Sequence, residues 1–203
     1  MTELGRWRFR SLTAALAISV AGLLVGVSRG DAGASTLIDA AGIGPARLGM
    51  RLGALKASLA GGSRVLPRRA FLVDVDAVPI AGGDGVVQFV VLVPAGSRVD
   101  DAVVIRALLT SNPAFRTREG VGPGTPLAEA TRLYGSPRLT MHRSNESRET
   151  VSFARQPVPL MRFGVAAAGP GLVGVYAQPL QEYNQSDRSV PSARISSVLV
   201  GRL

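Results

Sequence analysis

Two short stretches of the chain place apolar residues at helical spacing. Residues at i, i+3 and i+7 lie on one side of a helix, so this spacing predicts two short helices, each with one buried face. The positions are Leu52, Leu55 and Leu59 in the first stretch and Leu127, Ala130 and Tyr134 in the second. Gly61-Gly62 and Gly135 follow these stretches and predict left-handed caps at the helix ends. Thr125 and Pro126 predict the start of the second helix, as an N-cap hydroxyl followed by a proline at the first helical position.

Elsewhere the pattern changes to the period of two that is typical of β-strands. Residues 71–78 alternate from Val73 onward, and residues 86–93 form a nearly continuous β-branched run that suits a central strand. Gly82 to Gly85 lie between them and predict a hairpin turn. Residues 102–109 form either a third strand or a short helix capped by the preceding aspartates. Further strands are predicted at 138–142, 150–154, 160–165, 172–177 and 194–200, and a long polar loop at 178–191.

The same glycine motif precedes both predicted helices. Gly-x-Gly-Pro occurs twice, and one more glycine follows each copy. These residues, with the glycine after the second helix, are expected to form turns and caps: Gly42, Gly44, Pro45, Gly49, Gly120, Gly122, Pro123, Gly124 and Gly135. The sequence therefore predicts an α+β fold, with an antiparallel sheet, short helices on one face, and two tandem helix-plus-strands repeats at roughly 37–110 and 115–203. Recurrence of the motif by chance is the alternative, because the chain contains 24 glycines.

The first 34 residues have the three parts of a secretory signal peptide in the expected order. A cationic start is followed by an apolar stretch at 12–27 and by small residues at Ala32-Gly33-Ala34, so cleavage is predicted before Ser35. The cationic residues are Arg6, Arg8 and Arg10. An uncleaved membrane anchor is the alternative, since 18 uncharged residues separate Arg10 from Arg29 and a spanning helix needs roughly 17 to 25. Residues 35–203 are then expected to form a single exported domain in the periplasm or outside the cell.

Composition narrows the expected chemistry of that domain. The chain contains no cysteine, which excludes disulfides, thiolate metal sites and a lipid-bearing N-terminal cysteine. The leader carries four of the 23 basic and two of the 14 acidic residues, so residues 35–203 have 19 basic and 12 acidic residues and a net charge of +7. The arginines are scattered and few aromatic residues accompany them, so no nucleic-acid partner is expected. Attraction to anionic surfaces explains the charge better.

Three segments resemble known bacterial proteins. Residues 44–50, followed by a short helix and glycine, resemble the helix units of SmpA/OmlA-type outer-membrane assembly lipoproteins and of the β-lactamase-inhibitor-protein fold. Residues 117–127, and 145–149 leading into Phe153, resemble uncharacterised exported proteins of cyanobacteria and actinobacteria. The first resemblance implies a protein-binding scaffold rather than an enzyme. The missing lipid-bearing cysteine departs from the assembly lipoproteins.

Candidate chemistry is sparse. His142 is the only histidine and could serve a hydrolase as its base, although the chain has no G-x-S-x-G motif. Glu146 and Glu149 could be paired carboxylates for glycoside hydrolysis. Three aspartates at positions 74, 76 and 84 could hold calcium but lack a known loop pattern, so no metal site and no cofactor are predicted.

A dense polar loop in the second half is the better candidate for recognition, because recognition concentrates on loops. The predicted binding residues are Asn145, Glu146, Ser147, Arg148, Glu149, Tyr183 and Asn184. We expect a non-catalytic module of the cell envelope whose partner is an envelope protein or an anionic envelope component. The alternatives are a hydrolase of unfamiliar design and a small-molecule-binding protein with a pocket between sheet and helices. Membrane contact is expected only through an uncleaved leader.

Overall fold

The structure is a computed structural model and describes residues 35–59, 61–144 and 146–203. These residues belong to one compact unit. The predicted leader and Asn145 lie outside the described residues. Within the described ranges, no helix has both the length and the apolar character needed to cross a bilayer.

The described chain is mostly antiparallel β-sheet. Its two helices are α1 (Leu52–Ser58) and α2 (Leu127–Tyr134). The strands of the first half are β1 (Leu37–Asp39), β2 (Gly42–Ile43), β3 (Ala46–Arg47), β4 (Arg64–Val65), β5 (Arg69–Leu72), β6 (Val75–Ala81), β7 (Val87–Pro94) and β8 (Ala107–Thr110). Those of the second half are β9 (Arg116–Thr117), β10 (Pro137–His142), β11 (Glu149–Phe153), β12 (Met161–Ala166), β13 (Tyr183–Ser186) and β14 (Arg194–Gly201).

Ten strands form one large sheet in the order β13-β10-β11-β12-β14-β8-β7-β6-β4, and β5 also pairs with β6. Every pair in this sheet is antiparallel. The strands β8 and β14 join the two halves at its centre, where Leu109 pairs with Leu199. The glycine motif forms a smaller sheet in the order β3-β2-β1-β9, in which β1 and β9 run parallel.

The large sheet has two different faces because its strands alternate. In β7, Phe89, Val91 and Val93 belong to the main hydrophobic core, which also contains the buried residues of both helices. Val90 and Leu92 point the opposite way and belong to a smaller apolar cluster. We call the side of this smaller cluster the second face. Among the described residues, neither helix contributes to that cluster.

The structure shows the predicted antiparallel sheet, but in a fold richer in β-structure than the predicted α+β class suggested. The helices are only seven and eight residues long. Strands are confirmed near residues 87–94, 137–142, 149–153, 161–166 and 194–201, and the hairpin turn at residues 82–85 is confirmed. Ala102 lies in a turn, Val104 forms an isolated bridge with Arg51, and β8 begins at Ala107, so the strand alternative for residues 102–109 is the nearer one.

Several predictions about individual elements are wrong. Residues 71–78 are not one strand, because Val73 and Asp74 form a turn between β5 and β6. Residues 172–177 form only an isolated bridge, between Gly174 and Ser189, and the predicted loop at 178–191 contains strand β13.

The predicted helix ends are only partly right. Gly135 is the C-cap of α2, as predicted, with a positive φ of 83°, but its ψ of −166° lies outside the left-handed helical region that was expected. Helix α1 ends before its glycines, with Leu59 already extended. Pro126, rather than Thr125, occupies the N-cap position of α2. The Thr125 hydroxyl instead accepts a hydrogen bond from the Gly122 amide.

Candidate functional site

A groove crosses the second face of the large sheet. It consists of three adjoining cavities of about 310, 480 and 550 Å³. The first two share Arg148, Thr150 and Arg162 in their walls, and the last two share Phe71 and Leu109. We call this continuous depression the second-face groove. Each cavity lies in the size range of small-molecule pockets, roughly 300–1,000 Å³.

The floor of the groove is apolar where the two halves of the sheet meet. Leu109 and Leu199 are cross-strand partners, both are half-buried, and both line the central cavity. Gly164 on β12 pairs with Ser197, whose hydroxyl occupies the space that a Cβ at position 164 would need. The floor therefore presents aliphatic side chains to an open space.

Arg148 bridges the two ends of the sheet over this groove. Its guanidinium donates to the Glu146 carboxylate at 2.9 and 3.1 Å, and its Cζ lies 5.0 Å from the centroid of the Phe71 ring. The same guanidinium donates to the Phe71 carbonyl oxygen at 3.4 Å. Such a cation–π contact stabilises by about 0.5–1 kcal/mol at an exposed site. It links β5 to the loop between β10 and β11.

The loop that carries Arg148 has an unusual backbone. Glu146 and Ser147 both adopt positive φ angles, 52° and 53°, although neither is glycine. Left-handed residues of this kind cost energy and occur often in binding sites and clamps. The two residues turn the chain between β10 and β11, as consecutive left-handed residues do in tight hairpin turns.

Arg162 is the second cation of the groove and differs from Arg148 in its surroundings. Its neighbours Met161 and Phe163 are buried in the main core, so alternation directs the Arg162 side chain to the second face. It lines both the 310 and the 480 Å³ cavities and is exposed. No ion pair or hydrogen bond of its guanidinium occurs within the described part of the chain. Its charge is thus available to a ligand.

The groove changes in polarity along its length. At one end, Thr140 and Thr150 share a hydrogen bond of 2.9 Å, and the rings of His142 and Tyr183 contact each other in a tilted arrangement, with centroids 4.4 Å apart and an interplanar angle of 47°. At the other end, the 550 Å³ cavity is lined largely by apolar residues, which include Val87, Val90 and Leu109. Arg148 and Arg162 lie between these two ends, and a third arginine, Arg69, lines the 550 Å³ cavity.

Glu149, a predicted binding residue, lies at the wall of the groove but uses its carboxylate to anchor a loop. Oε2 accepts a hydrogen bond from the Val173 amide at 2.5 Å, and Oε1 accepts from the Gly174 amide at 2.7 Å and the Tyr176 hydroxyl at 2.8 Å. Burial, together with the Glu149 carboxylate, raises the pKa of Tyr176. Tyr176 is therefore a neutral donor at any pH near neutrality, and Glu149 holds the loop in position.

The other predicted binding residues separate into exposed and buried groups. Glu146, Ser147, Arg148 and Tyr183 are exposed. Asn184 is only 6% exposed, and its amide exchanges two hydrogen bonds with the Gln181 backbone, at 2.7 and 2.9 Å. Its side chain is therefore committed to a turn. Asn145 lies outside the described residues.

The geometry around His142 bears on the hydrolase alternative. Among the described residues, no hydrogen bond joins its ring to a serine or a carboxylate, and its ring contacts Tyr183. Glu146 pairs with Arg148, whereas Glu149 accepts from backbone amides, so the two glutamates serve different partners. Within residues 35–59, 61–144 and 146–203, no group of three His, Asp or Glu side chains could hold a metal ion.

The glycine motif forms turns outside the groove. Gly44 and Pro45 make the two-residue turn of the β2–β3 hairpin. A Cβ at Gly42 would collide with the Ala46 carbonyl oxygen, and one at Gly122 with the Phe115 carbonyl oxygen. The other motif glycines have positive φ: Gly44, Gly49, Gly120, Gly124 and Gly135. The Pro123 carbonyl oxygen accepts a hydrogen bond from Arg116 at 2.9 Å.

A small polar network lies beside the second copy of the motif. The Tyr134 hydroxyl donates to the Glu119 carboxylate at 2.9 Å and lies 2.6 Å from the Thr117 hydroxyl. Partial burial alone would raise the pKa of Glu119, but hydrogen bonds from Tyr134, Thr117 and its own amide, with the nearby Arg118 charge, lower it overall. Burial is the largest cause that raises the pKa of Tyr134.

Sequence reasoning missed two of the residues that define the groove, Phe71 and Arg162. Arg162 lies between two apolar residues in a strand pattern, which marks it as outward-facing. The pattern does not reveal which outward face is concave. Phe71 was assigned to a single strand with residues 72–78, whereas the turn at Val73-Asp74 directs it to the second face.

Comparisons with known proteins identify a similar fold and no sequence relative. No protein-family model matches the chain, and no curated protein matches its sequence. Among solved structures, the chain is similar to the crystal structure of the uncharacterized protein YfeY from Escherichia coli. The TM-score is 0.51 at 15% sequence identity, over 82% of this chain and 99% of that one. At this identity, the similarity concerns the fold alone.

Proposed function

We propose that this protein is an exported, non-catalytic binding module of the cell envelope, and that the second-face groove is its binding surface. The observation that carries the proposal is the groove itself, with an apolar floor at Leu109 and Leu199 and a cation, Arg162, without a partner among the described residues. Such a surface complements an anionic envelope component. The net charge of +7 on residues 35–203 favours the same class of partner.

The surroundings of the titratable residues support binding rather than catalysis. General acid–base catalysis needs a proton donor or acceptor within hydrogen-bond reach of its partner. His142 has no such serine or carboxylate partner in the described structure, and the Glu149 carboxylate is occupied by three donors. The groove therefore offers contacts for recognition and no assembled catalytic pair.

Export is part of the proposal and rests on the leader sequence. A cationic start, an apolar stretch and an Ala-x-Ala site precede Ser35. N-terminal sequencing of the protein recovered from bacterial periplasm should begin at Ser35. Recovery of the intact chain, with Met1, from the cytosol would contradict export.

We also propose that the two halves are an internal repeat. In both halves, the segment before the helix forms backbone hydrogen bonds with the chain near the start of the last strand. The Gly49 amide donates to Ile105 at 2.8 Å, and the Gly124 amide donates to Ile195 at 2.7 Å. The first helical amides follow the same scheme, from Leu52 to Val103 and from Leu127 to Ala193, each at 2.8 Å.

The large sheet supports the same proposal. The order β4-β6-β7-β8 in the first half corresponds to β10-β11-β12-β14 in the second. Ile105 and Ile195 are 90 residues apart. The same difference relates Leu108 to Val198 and Thr110 to Val200, so it converts the cross-strand pair Leu108–Val200 into the cross-strand pair Val198–Thr110. An approximate two-fold axis therefore passes between β8 and β14. In an experimental structure, superposing one half on the other should bring Ile105 onto Ile195, and a different match would contradict the repeat.

Site-specific photo-cross-linking tests the binding surface directly. The full chain would carry a photoreactive amino acid at Ser152 or Ala166, both exposed on the groove side. The matched control is Ala128, which is exposed on α2. In cells that export the protein, irradiation should give the same discrete adduct from both groove positions and none from Ala128. Equal adducts from all three positions, or none from the groove, would contradict the proposal.

A further inference from the structure

We infer that the second-face groove binds a single-chain amphiphile, in which one acyl chain carries an anionic head group. The inference rests on the proposed binding function and specifies its ligand. The distribution of charged and apolar groups along the groove points to this class. Arg162, which has no ion-pair partner among the described residues, is the cross-strand neighbour of Leu199, and the apolar floor continues from there past Leu109 to Phe71 and Val90, with Arg69 in the wall at the far end.

The apolar path is the larger part of the groove. It runs from the central cavity of about 480 Å³ into the adjoining cavity of about 550 Å³, past Phe71, Leu109 and Val90. The smaller apolar cluster forms the base of this path, and Val75, Val87, Leu109 and Leu199 remain only partly buried within it. Partly buried aliphatic side chains beside an open cavity gain from further burial. A flexible acyl chain can follow such a curved surface.

The head group is assigned to the end of the groove that carries Arg162. Arg148 is already paired with Glu146, so its charge is balanced, whereas Arg162 has no acidic partner among the described residues. The Glu149 carboxylate, which also lines the cavity, is directed to the Val173 and Gly174 amides. Arg148 and Arg162 are thus matched in number by Glu146 and Glu149, and the head group is assigned by the guanidinium of Arg162, which has no ion-pair partner among the described residues, rather than by a net positive charge. Thr150 adds a hydroxyl beside Arg162.

Both a carboxylate and a phosphate fit a guanidinium with adjacent hydroxyls, since both accept charge-assisted hydrogen bonds. A neutral head group would leave the Arg162 charge without a partner. A second acyl chain would need a second apolar path, and Arg162 and Thr140 make the opposite end of the groove polar. One chain and one anionic head therefore match the groove best.

Calorimetric titration of the protein produced from the full chain tests this assignment. The probes are octanoate, decanoate, dodecanoate, dodecyl phosphate and dodecanol, each kept below its micelle concentration. Affinity should rise about fourfold for each added methylene that is buried. Dodecanoate and dodecyl phosphate should bind about tenfold more tightly than dodecanol, as expected for one charge-assisted hydrogen-bonding contact. Whichever of dodecanoate and dodecyl phosphate binds more tightly shows whether the head group comes from a free fatty acid or from a phosphate ester.

Two variants separate the head-group contact from general charge. Arg162→Ala should lose about tenfold in affinity for the anions and leave dodecanol binding unchanged. Arg132→Ala removes an arginine from the exposed side of α2 and should change neither the affinity for the anions nor the affinity for dodecanol. Circular dichroism shows that each variant is folded before its titration is interpreted.

Three outcomes would overturn the assignment. The first is an affinity that does not depend on chain length. The second is an equal loss of affinity for the anions in Arg162→Ala and Arg132→Ala, and the third is that the twelve-carbon anions show no saturable binding. If these occur while photo-cross-links still form at Ser152 and Ala166, the ligand class is wrong and the binding function stands. If the cross-links also fail, the binding function itself is wrong.

Discussion

Two carboxylates, those of Glu149 and Glu119, accept hydrogen bonds from neutral groups rather than from arginines. Glu149 accepts from two backbone amides and a tyrosine, and Glu119 accepts from the Tyr134 hydroxyl. Hydrogen bonds to a charged acceptor contribute more than neutral ones, about 1.5–3 kcal/mol each. At the residue scale, these two carboxylates therefore hold in place loop segments that belong to no helix or strand.

The Glu149→Gln variant tests the loop anchor. An amide presents one acceptor oxygen instead of two, and its NH2 group faces donors, so at least one bond to the Val173–Tyr176 segment is lost. The free energy of unfolding should fall by about 1–3 kcal/mol. Glu129→Gln, on the exposed side of α2, is the control and should stay within about 0.5 kcal/mol of the wild type. Urea denaturation measures both, and equal effects would contradict the anchor.

Glu119 predicts a specific pH dependence of stability. Its pKa in the folded protein is lowered from the usual value of 4.5, so its carboxylate form stabilises the fold. This contribution is fully present above about pH 4.5 and is lost as the pH falls through the lowered pKa. Thermal melts from pH 3 to pH 7 should therefore show wild type more stable than Glu119→Gln above pH 5, with the difference shrinking below pH 4.5. The opposite trend would contradict the assigned hydrogen bonds.

At the element scale, the helices depend on their packing. With seven and eight residues, α1 and α2 are too short to be stable alone in water. Each is held by its buried side, by Leu52 and Leu55 in α1 and by Leu127, Ala130 and Tyr134 in α2. The Tyr134 ring also contacts Phe153 and Phe163, with centroids 5.7 and 6.0 Å apart. The stability of both helices therefore depends on their contacts with the core.

Gly135 ends α2 in a conformation that only glycine adopts easily. Its φ and ψ are 83° and −166°, and an added Cβ would lie 3.4 Å from the Arg155 guanidinium carbon. Gly135→Ala should therefore lower the free energy of unfolding by about 1–3 kcal/mol. Ser136→Ala, at the exposed next position, should change it by less than about 0.5 kcal/mol. Equal stability of the two variants in urea would contradict the cap geometry.

Local patterns predicted the elements whose own side chains determine them. The positions of α1, α2, β10, β12 and β14 followed from apolar spacing, since each buries one face, and the position of β7 followed from a continuous apolar run that is buried on both faces. Strand β13 was missed because Tyr183 to Ser186 are polar, and its pairing with β10 uses the backbone. The turn at Val73-Asp74 was missed because the strands before and after it continue a similar alternation and no glycine or proline marks it.

The groove was even less accessible to sequence reasoning. The loop at 146–149 was predicted as a binding surface, and the structure brings its Arg148 against Phe71, a residue 77 positions earlier in the chain. Contacts between residues so far apart leave no local periodicity. The sequence marks Arg162 as outward-facing, but only the assembled sheet shows that Leu109 and Leu199 lie on the same face as Arg162.

At the scale of the whole molecule, the join between the halves forms the site. Strands β8 and β14 pair at the centre of the ten-stranded sheet, and their outward leucines become the groove floor. Arg148 and Phe71 then connect the β10–β11 loop to β5, which belongs to the other half. A single half would provide neither a complete floor nor this bridge. The proposed repeat thus accounts for the position of the proposed binding surface on the second face.

An amide chemical-shift titration with dodecanoate tests most directly that the second face binds. The largest saturable shifts should fall on β8, β12 and β14 and on the loop that carries Arg148, whereas α1 and α2, on the other face, should remain unchanged. Arg162→Ala should weaken the response at those same amides by about tenfold, as a charge-assisted contact requires. Shifts centred on the helices, or no saturable shift at any amide, would contradict this account of the protein.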